Sequence, residues 1–274
     1  VSAASLATAY QTGDLNSGEV YGMILSRDVF VAGYREQLDT MVRTLVEGDV
    51  QVTLPAGTVV PNGTVINGVT YSGTVAQRTL ASDTTVTVKG INGLHQLGYT
   101  LTDPPAKGEP FFVMKPGAGA FSAESITVNP NIVNNVENIA ASMRTYIDGS
   151  TEKVVAGNNS LALLMAGLKN AKFDFDPANT GQTVLNGGTM DEFFRAFVGE
   201  IGVQTQEAER QTDNQQLLVD QVEARRQSIS GVSLDEEMAN MIKFQHAYNA
   251  AARALTTFDE LLDKLINGTG VVGR

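Results

Sequence analysis
The sequence contains no cysteine and no tryptophan, and only two histidines, His95 and His246. The absence of cysteine excludes disulfides, zinc–thiolate sites and thiol nucleophiles. It also fits a protein that leaves the cell and meets oxidant. Neither histidine has a metal-ligand partner three or four residues away, so no metal site is expected. Hydrophobic residues make up 42% of the chain, yet no apolar run reaches the roughly 18 residues of a membrane span. Membrane insertion is therefore not expected. Positive charge is scarce: 19 Lys and Arg stand against 30 Asp and Glu, a net charge of −11. With no basic stripe, nucleic acid is a poor partner. The sequence opens at Val1 without a basic stretch followed by an apolar run. A fragment or processed product is expected there, and not a cleavable leader.

Catalytic signatures are missing too. There is no Gly-x-x-x-x-Gly-Lys loop, and Gly117-Ala118-Gly119 is a lone Gly-x-Gly that opens no clear helix. No Gly-x-Ser-x-Gly elbow occurs. Asp174 and Asp176 flank Phe175 and precede Pro177, too few oxygens for a calcium loop, and read as a turn. His95 sits in a strand pattern and reads as a structural, hydrogen-bonded histidine. No catalytic residue, no cofactor and no enzymatic activity are expected.

What is present is pattern. Residues 17–47 carry Val20, Ile24, Phe30, Tyr34, Leu38, Met41, Val42 and Leu45 at spacings of three and four, predicting a helix with one buried face. Ser17 is its candidate N-cap, and Gly48 ends it. Residues 49–90 turn to Val, Thr and Gly, with alternation at Val86-Thr87-Val88 and turn signals at Asn62-Gly63 and Asn67-Gly68. They predict a small antiparallel all-β insertion. Further strands are expected over 94–101, 110–114 and 125–128, short helical pieces over 131–146, and a helix over 159–170. Residues 173–188 are turn-rich. Thr189 then caps a helix running to about Ser230, broken at Gly199 and Gly202, whose second half is strongly polar.

The last stretch is the most regular. Ser230-Gly231 interrupts the preceding helix, and Ser233 with Glu236 makes a capping box. Leu234, Met241, Tyr248, Leu255 and Leu262 follow at strict sevens. Met238, Gln245, Ala252 and Asp259 fall four residues after the first four, and Leu265 and Ile266 continue the apolar side. This is a heptad stripe on a helix of roughly 50 Å. Burying each large side chain is worth about 1.5–3 kcal/mol, so the stripe needs a partner. Periodicity leaves two candidates open: another polypeptide segment outside this sequence, or the chain's own domain. The fold class is α+β: a helical-bundle or coiled-coil rod with a small antiparallel β insertion and a long C-terminal amphipathic helix. The expected divisions are a helical segment over 1–48, the insertion over 49–90, a mixed domain over 91–230 and the heptad helix over 231–274.

The run from Leu234 through Met238, Met241, Phe244, Gln245 and Tyr248 to Arg253, continued by Asp259-Glu260-Leu261-Leu262, closely resembles the C-terminal signature of flagellar rod, hook and hook-associated proteins. Three blocks narrow the resemblance. They are Gly18-Glu19-Val20-Tyr21-Gly22 with Arg27-Asp28, then Asn92-Gly93-Leu94-His95 with Pro110-Phe111-Phe112, then Ile126-Thr127-Val128-Asn129-Pro130 with Gly157-Asn158-Asn159-Ser160-Leu161. In this order they resemble the hook-associated protein 1 (FlgK) family of hook–filament junction proteins. Residues 49–90 match nothing in that pattern, nor is the family's N-terminal helix visible.

The resemblance implies an exported, extracellular structural subunit of the bacterial flagellum that joins hook to filament by self-assembly. It implies as partners copies of itself in a ring, the hook protein, a second, FlgL-like junction protein, and a FlgN-like export chaperone on the terminal helix. Leu234, Met238, Met241, Tyr248, Ala252, Leu255, Leu262 and Leu265 become assembly residues, with Gly231, Ser233 and Glu236 as joint and cap. A hook or distal-rod protein shares the C-terminal signature and is the alternative within the class. A secreted adhesin-like binding module on a helical stalk is the alternative outside it.

Overall fold
The structure, a computed structural model, describes residue 16, residues 18–268 and residue 270. The N-cap expected at Ser17 lies outside the described residues. The chain forms two compact units, one through Gln204 and one from Thr205 onward.

The first unit opens with α1 (Gly18–Leu25), a π-helical turn (Ser26–Val31) and α2 (Ala32–Glu47), all on helical backbone. The expected apolar face is only partly covered. Ile24 is buried, but Val20 and Phe30 are exposed, and the fully buried positions of α2 are Thr40, Thr44 and Val46. The π turn advances the helix face by an extra residue, which moves the apolar row out of register with the core. Tyr34 fixes α2: its hydroxyl donates to Gln204 Oε1, and its ring meets Phe197 edge-on at 6.1 Å.

Next come β1 (Asp49–Leu54), β2 (Thr64–Ile66), β3 (Val69–Tyr71) and β4 (Thr84–Lys89). β1 and β4 pair antiparallel from Asp49 opposite Lys89 to Leu54 opposite Thr84. Period-two alternation puts Val50, Val52, Leu54, Val86 and Val88 inside. β2 and β3 form the hairpin that Asn67-Gly68 signals. Asn67 (φ 49°) and Gly68 (φ 81°) are both left-handed, as a type I′ turn requires. The Asn67 amide also donates to the Thr85 carbonyl, tying the hairpin to β4.

Residues 94–101 do not form the expected strand. The structure has instead the short helix α3 (Gly90–His95), after which Tyr99 makes isolated bridges with Lys107 and Ser142. The alternation of Leu97, Tyr99 and Leu101 imitates a strand. A six-residue helix has too little intrinsic stability to announce itself, and here tertiary contacts hold it. Asn92 supplies one: its side chain donates to the Phe112 carbonyl and accepts from the Phe112 amide, both at 2.8 Å. The strands expected over 110–114 and 125–128 are β5 (Phe112–Met114) and β6 (Ile126–Val128), and they pair antiparallel. α4 (Pro130–Asn134) and a 3-10 turn (Val136–Asn138) account for the short helical pieces. Beyond them lies a hairpin, β7 (Thr145–Asp148) and β8 (Thr151–Val154), whose first two residues fall at the end of the stretch expected to hold short helical pieces. Its two-residue loop has Gly149 (φ 65°) at the first central position, the place a type II′ turn wants glycine.

α5 (Ser160–Gly167) and its 3-10 extension (Leu168–Asn170) bury Leu161 and Leu168. β9 (Phe173–Asp174) and β10 (Gly187–Gly188) pair across the turn-rich stretch. α6 (Met190–Ser230) starts at a reciprocal box: the Thr189 amide donates to Glu192, and the Glu192 amide to Thr189 Oγ1. It passes Gly199 and Gly202 unbroken. Each glycine costs about 1 kcal/mol against alanine, which does not break a helix anchored one turn earlier by buried Phe193 and Phe197.

A continuous core crosses residues 49–90 and the segment after them. Val50, Leu54, Ile66 and Val88 pack in the same cluster as Leu94, Met143, Leu161 and Phe193. A polar pin reinforces it. Arg78, 3% exposed, donates to the carbonyls of Gly73 and Val60, to the Tyr99 hydroxyl and to Glu152 Oε2 at 2.6 Å. Burial pushes the Tyr99 phenol up to about 12, against the pull of the Arg78 cation, so it stays protonated and donates to the Val60 carbonyl. Arg78→Ala is expected to cost about 3 kcal/mol, because it takes the cation from the partly buried Glu152 carboxylate and a donor from the Gly73 carbonyl. A denaturant midpoint within the wild-type error would refute that.

Candidate assembly surface
The second unit consists of the C-terminal part of α6 and the helix α7 (Leu234–Gly268). α6 stops at Gly231, whose amide donates to the Gln227 carbonyl at 2.7 Å. A Cβ on Gly231 would lie 2.2 Å from that carbonyl oxygen, so only glycine fits the joint. Of the two limbs expected of the capping box, the structure shows the Glu236 amide facing Ser233 Oγ at the long limit of 3.5 Å. The Ser233 carbonyl accepts from the Glu237 amide at 3.0 Å and starts the helical ladder. Asp235, Glu236 and Glu237 place three carboxylates in the first turn, where the helix dipole favours them.

Every described residue from 231 to 268 is exposed. Among the expected assembly residues, Leu234 is 79% exposed, Tyr248 76% and Leu255 75%. Met238, Met241, Leu262 and Leu265 each exceed half, and Ala252 is also exposed. The apolar residues in the second half of α6, among them Leu218, Val222 and Ile229, are exposed as well.

Geometry also redraws the stripe. Rows at strict sevens drift by about 20° per heptad on a straight helix. The row Leu234, Met241, Tyr248, Leu255, Leu262 has a better companion three residues after it than four. That row is Glu237, Phe244, Ala251, Phe258 and Leu265. Together they alternate by threes and fours from Leu234 to Leu265, the spacing of a knobs-into-holes seam. The row of Met238, Gln245, Ala252 and Asp259 becomes a flank. Phe244 (69% exposed) and Phe258 (68%) were therefore missed, although their interval of fourteen was readable in the sequence. Asp235, His246, Arg253, Glu260 and Lys264 occupy the opposite side by helical spacing.

Elsewhere the chemistry is spent on structure. His95 is buried, with Nδ1 on the Glu109 carbonyl and Nε2 accepting from the Ala140 amide. Asp176 accepts from the Thr180 amide, the Thr180 hydroxyl and the Gly181 amide, which hold its carboxyl below the ordinary range. That is a capped turn, as the spacing suggested. An open cleft of about 500 Å³ lies beside α2 and residues 174–183. Ion pairs at its rim join Arg43 to Glu36 and Lys89 to Asp49. Among the described residues no cluster of His, Cys, Asp or Glu could hold a metal, and no helix is long and apolar enough to cross a membrane.

Residues 224–268 match the family model described as flagellar basal body rod FlgEFG protein C-terminal. The chain is also similar to three proteins described as flagellar hook-associated protein 1. The Bacillus subtilis protein is 50% identical over 97 residues, covering 35% of this chain and 19% of the relative. The Escherichia coli protein is 30% identical over 192 residues, 69% of this chain and 31% of the relative. The Salmonella typhimurium protein is 29% identical over 158 residues, 57% and 25% respectively. The chain thus spans about a fifth to a third of the length of these relatives. No solved structure matches it significantly.

Proposed function
We propose, because this chain belongs to the flagellar hook-associated protein 1 family, that it is a structural subunit of the flagellum joining hook to filament, assembled through α7. One observation carries the reading: the apolar side chains along α7 from Leu234 to Leu262 are exposed, and they lie wholly within the 224–268 match to a flagellar axial family. A seam of this length calls for a helical partner. Copies of the chain, the hook protein and a FlgL-like second junction protein are the partners in the assembled structure. A FlgN-like chaperone covers the seam before export, and the assembled protein is extracellular. Nothing in the reading calls for catalysis, because the family is one of structural proteins.

The match to a rod-protein family model favours a second reading, that of a hook or distal-rod subunit. The adhesin-like module is less well supported, because β1 and β4 share their core with α3, α5 and α6 and leave no separable head on a stalk. Immuno-electron microscopy of flagella from the bacterium encoding the chain separates these readings. The antibody would be raised to residues 49–90, which present Val65 and Val69 at the surface. A narrow band at the hook–filament boundary is the expected result. Label along the hook or rod would favour the second reading. No label on flagella, from an antibody that binds the purified native protein, would overturn both.

A further inference from the structure
We propose that His95 is an acid-sensitive latch: its neutral imidazole clamps the segments at Glu109 and Ala140 onto α3, and uptake of one proton releases them. The hydrogen bonds determine the ring's state. The Ala140 amide can only donate, and it lies 2.8 Å from Nε2, so Nε2 is the bare nitrogen. Nδ1 therefore carries the hydrogen and donates to the Glu109 carbonyl. A proton can enter only at Nε2, where it turns an acceptor into a donor facing a donor.

The site offers no relief. The ring is fully buried and meets Phe111 edge-on at 5.4 Å. The chain beside it is close-packed: a Cβ on Gly108 would lie 2.2 Å from the His95 carbonyl oxygen and 2.8 Å from the Ala140 methyl. Charges on the neighbouring elements are committed elsewhere. On α2, Arg35 pairs with Glu124, Arg43 pairs with Glu36, Asp39 accepts from the Ala123 amide, and Glu47 is exposed. α5 carries no charged residue. Lys89 on β4 pairs with Asp49, and Lys107 and Glu137 are exposed. The Glu109 carboxylate accepts from Asn129 and Asn131, and only the carbonyl of that residue faces the ring. Burial lowers the imidazole's affinity for a proton, and the Glu109 carbonyl offsets this only in part.

The consequence has a definite sign. A group whose affinity for the proton is lower in the closed state is protonated first in the open one. Its contribution is complete above the ordinary histidine value of about 6.5 and is lost as pH falls below it. The opening equilibrium should rise as pH falls from roughly 7.5 to 5, by at most about 30-fold. The chain between His95 and its Glu109 anchor includes Tyr99, whose hydroxyl meets Arg78. Opening the latch therefore also loosens the attachment of residues 49–90.

The test uses the full chain. With two histidines in the sequence, His246→Gln assigns both ring signals by subtraction. The amide-exchange protection of Ala140 should fall, by at most about 30-fold, from about pH 7.5 to about pH 5, with the His95 ring titrating below the ordinary histidine value of about 6.5. In His95→Gln the acid-dependent fall should vanish. Equal protection of Ala140 at both pH values, or a His95 ring titrating at the ordinary histidine value, overturns the latch. Both readings come from wild type and His246→Gln, so they decide the matter even if His95→Gln does not fold.

Discussion
Leu255→Asp is expected to leave the isolated chain as stable as wild type and to abolish its incorporation into flagella. Leu255 is 75% exposed, so the substitution removes no packing within the chain. Surface changes of this kind stay within about 0.5 kcal/mol. In an assembled seam the same position is a knob. An aspartate there must be desolvated without a partner, at a cost of several kcal/mol. Repetition around a symmetric assembly imposes that cost at every copy. Thermal melts of the purified chain and fractionation of flagella measure the two halves. Phe258→Asp should behave alike, because the redrawn seam places Phe258 beside Leu255. Glu260→Gln, on the opposite side, should assemble normally. Assembly of Leu255→Asp at the wild-type level would remove α7 as the joining surface.

Phe193→Ala is expected to show the reverse pattern, a large loss of stability in the isolated chain. Phe193 is 1% exposed and stacks at 4.3 Å on Phe175, which lies 6.5 Å from Phe173. The ring holds the start of α6 against the turn-rich segment and the core shared with β1 and β4. Removing a buried phenylalanine costs about 3–5 kcal/mol in transfer and cavity terms. For a unit of this size that lowers the melting temperature on the order of 10 °C. A melting temperature within 2 °C or so of wild type would mean the core closes around the gap and that this account of α6 is wrong.

Sequence signals were strong where local chemistry decides the outcome. Asn67-Gly68 specifies its hairpin because both residues tolerate the left-handed region. Thr189 and Glu192 announce the start of α6, and the alternation through Val86 and Val88 gives β4. Elements held by distant partners were harder to read. α3 is short and owes its place to Asn92 meeting Phe112, a contact between residues 20 apart in sequence. The β7–β8 hairpin was hidden behind a stretch that reads as broken helix, although Gly149 carried its signal. The π turn at Ser26–Val31, which leaves Phe30 outside, has no sequence mark we can name. At the assembly surface, the row containing Leu255 was legible from its sevens. Its companion through Phe244 and Phe258 was passed over for a row four residues on that contains Gln245 and Asp259.

Asn92 has one more consequence. Its side-chain amide engages both backbone groups of Phe112, so it does for β5 what a neighbouring strand would do. The described strands lie in five separate two-stranded ladders, none longer than six residues. Long open edges are where like chains add to one another and grow into cross-β aggregates. In the proposed assembly, subunits stacked against their own copies would meet that hazard at very high local concentration. An edge plugged with an amide, and described ladders kept short, would leave little template for fibre growth there.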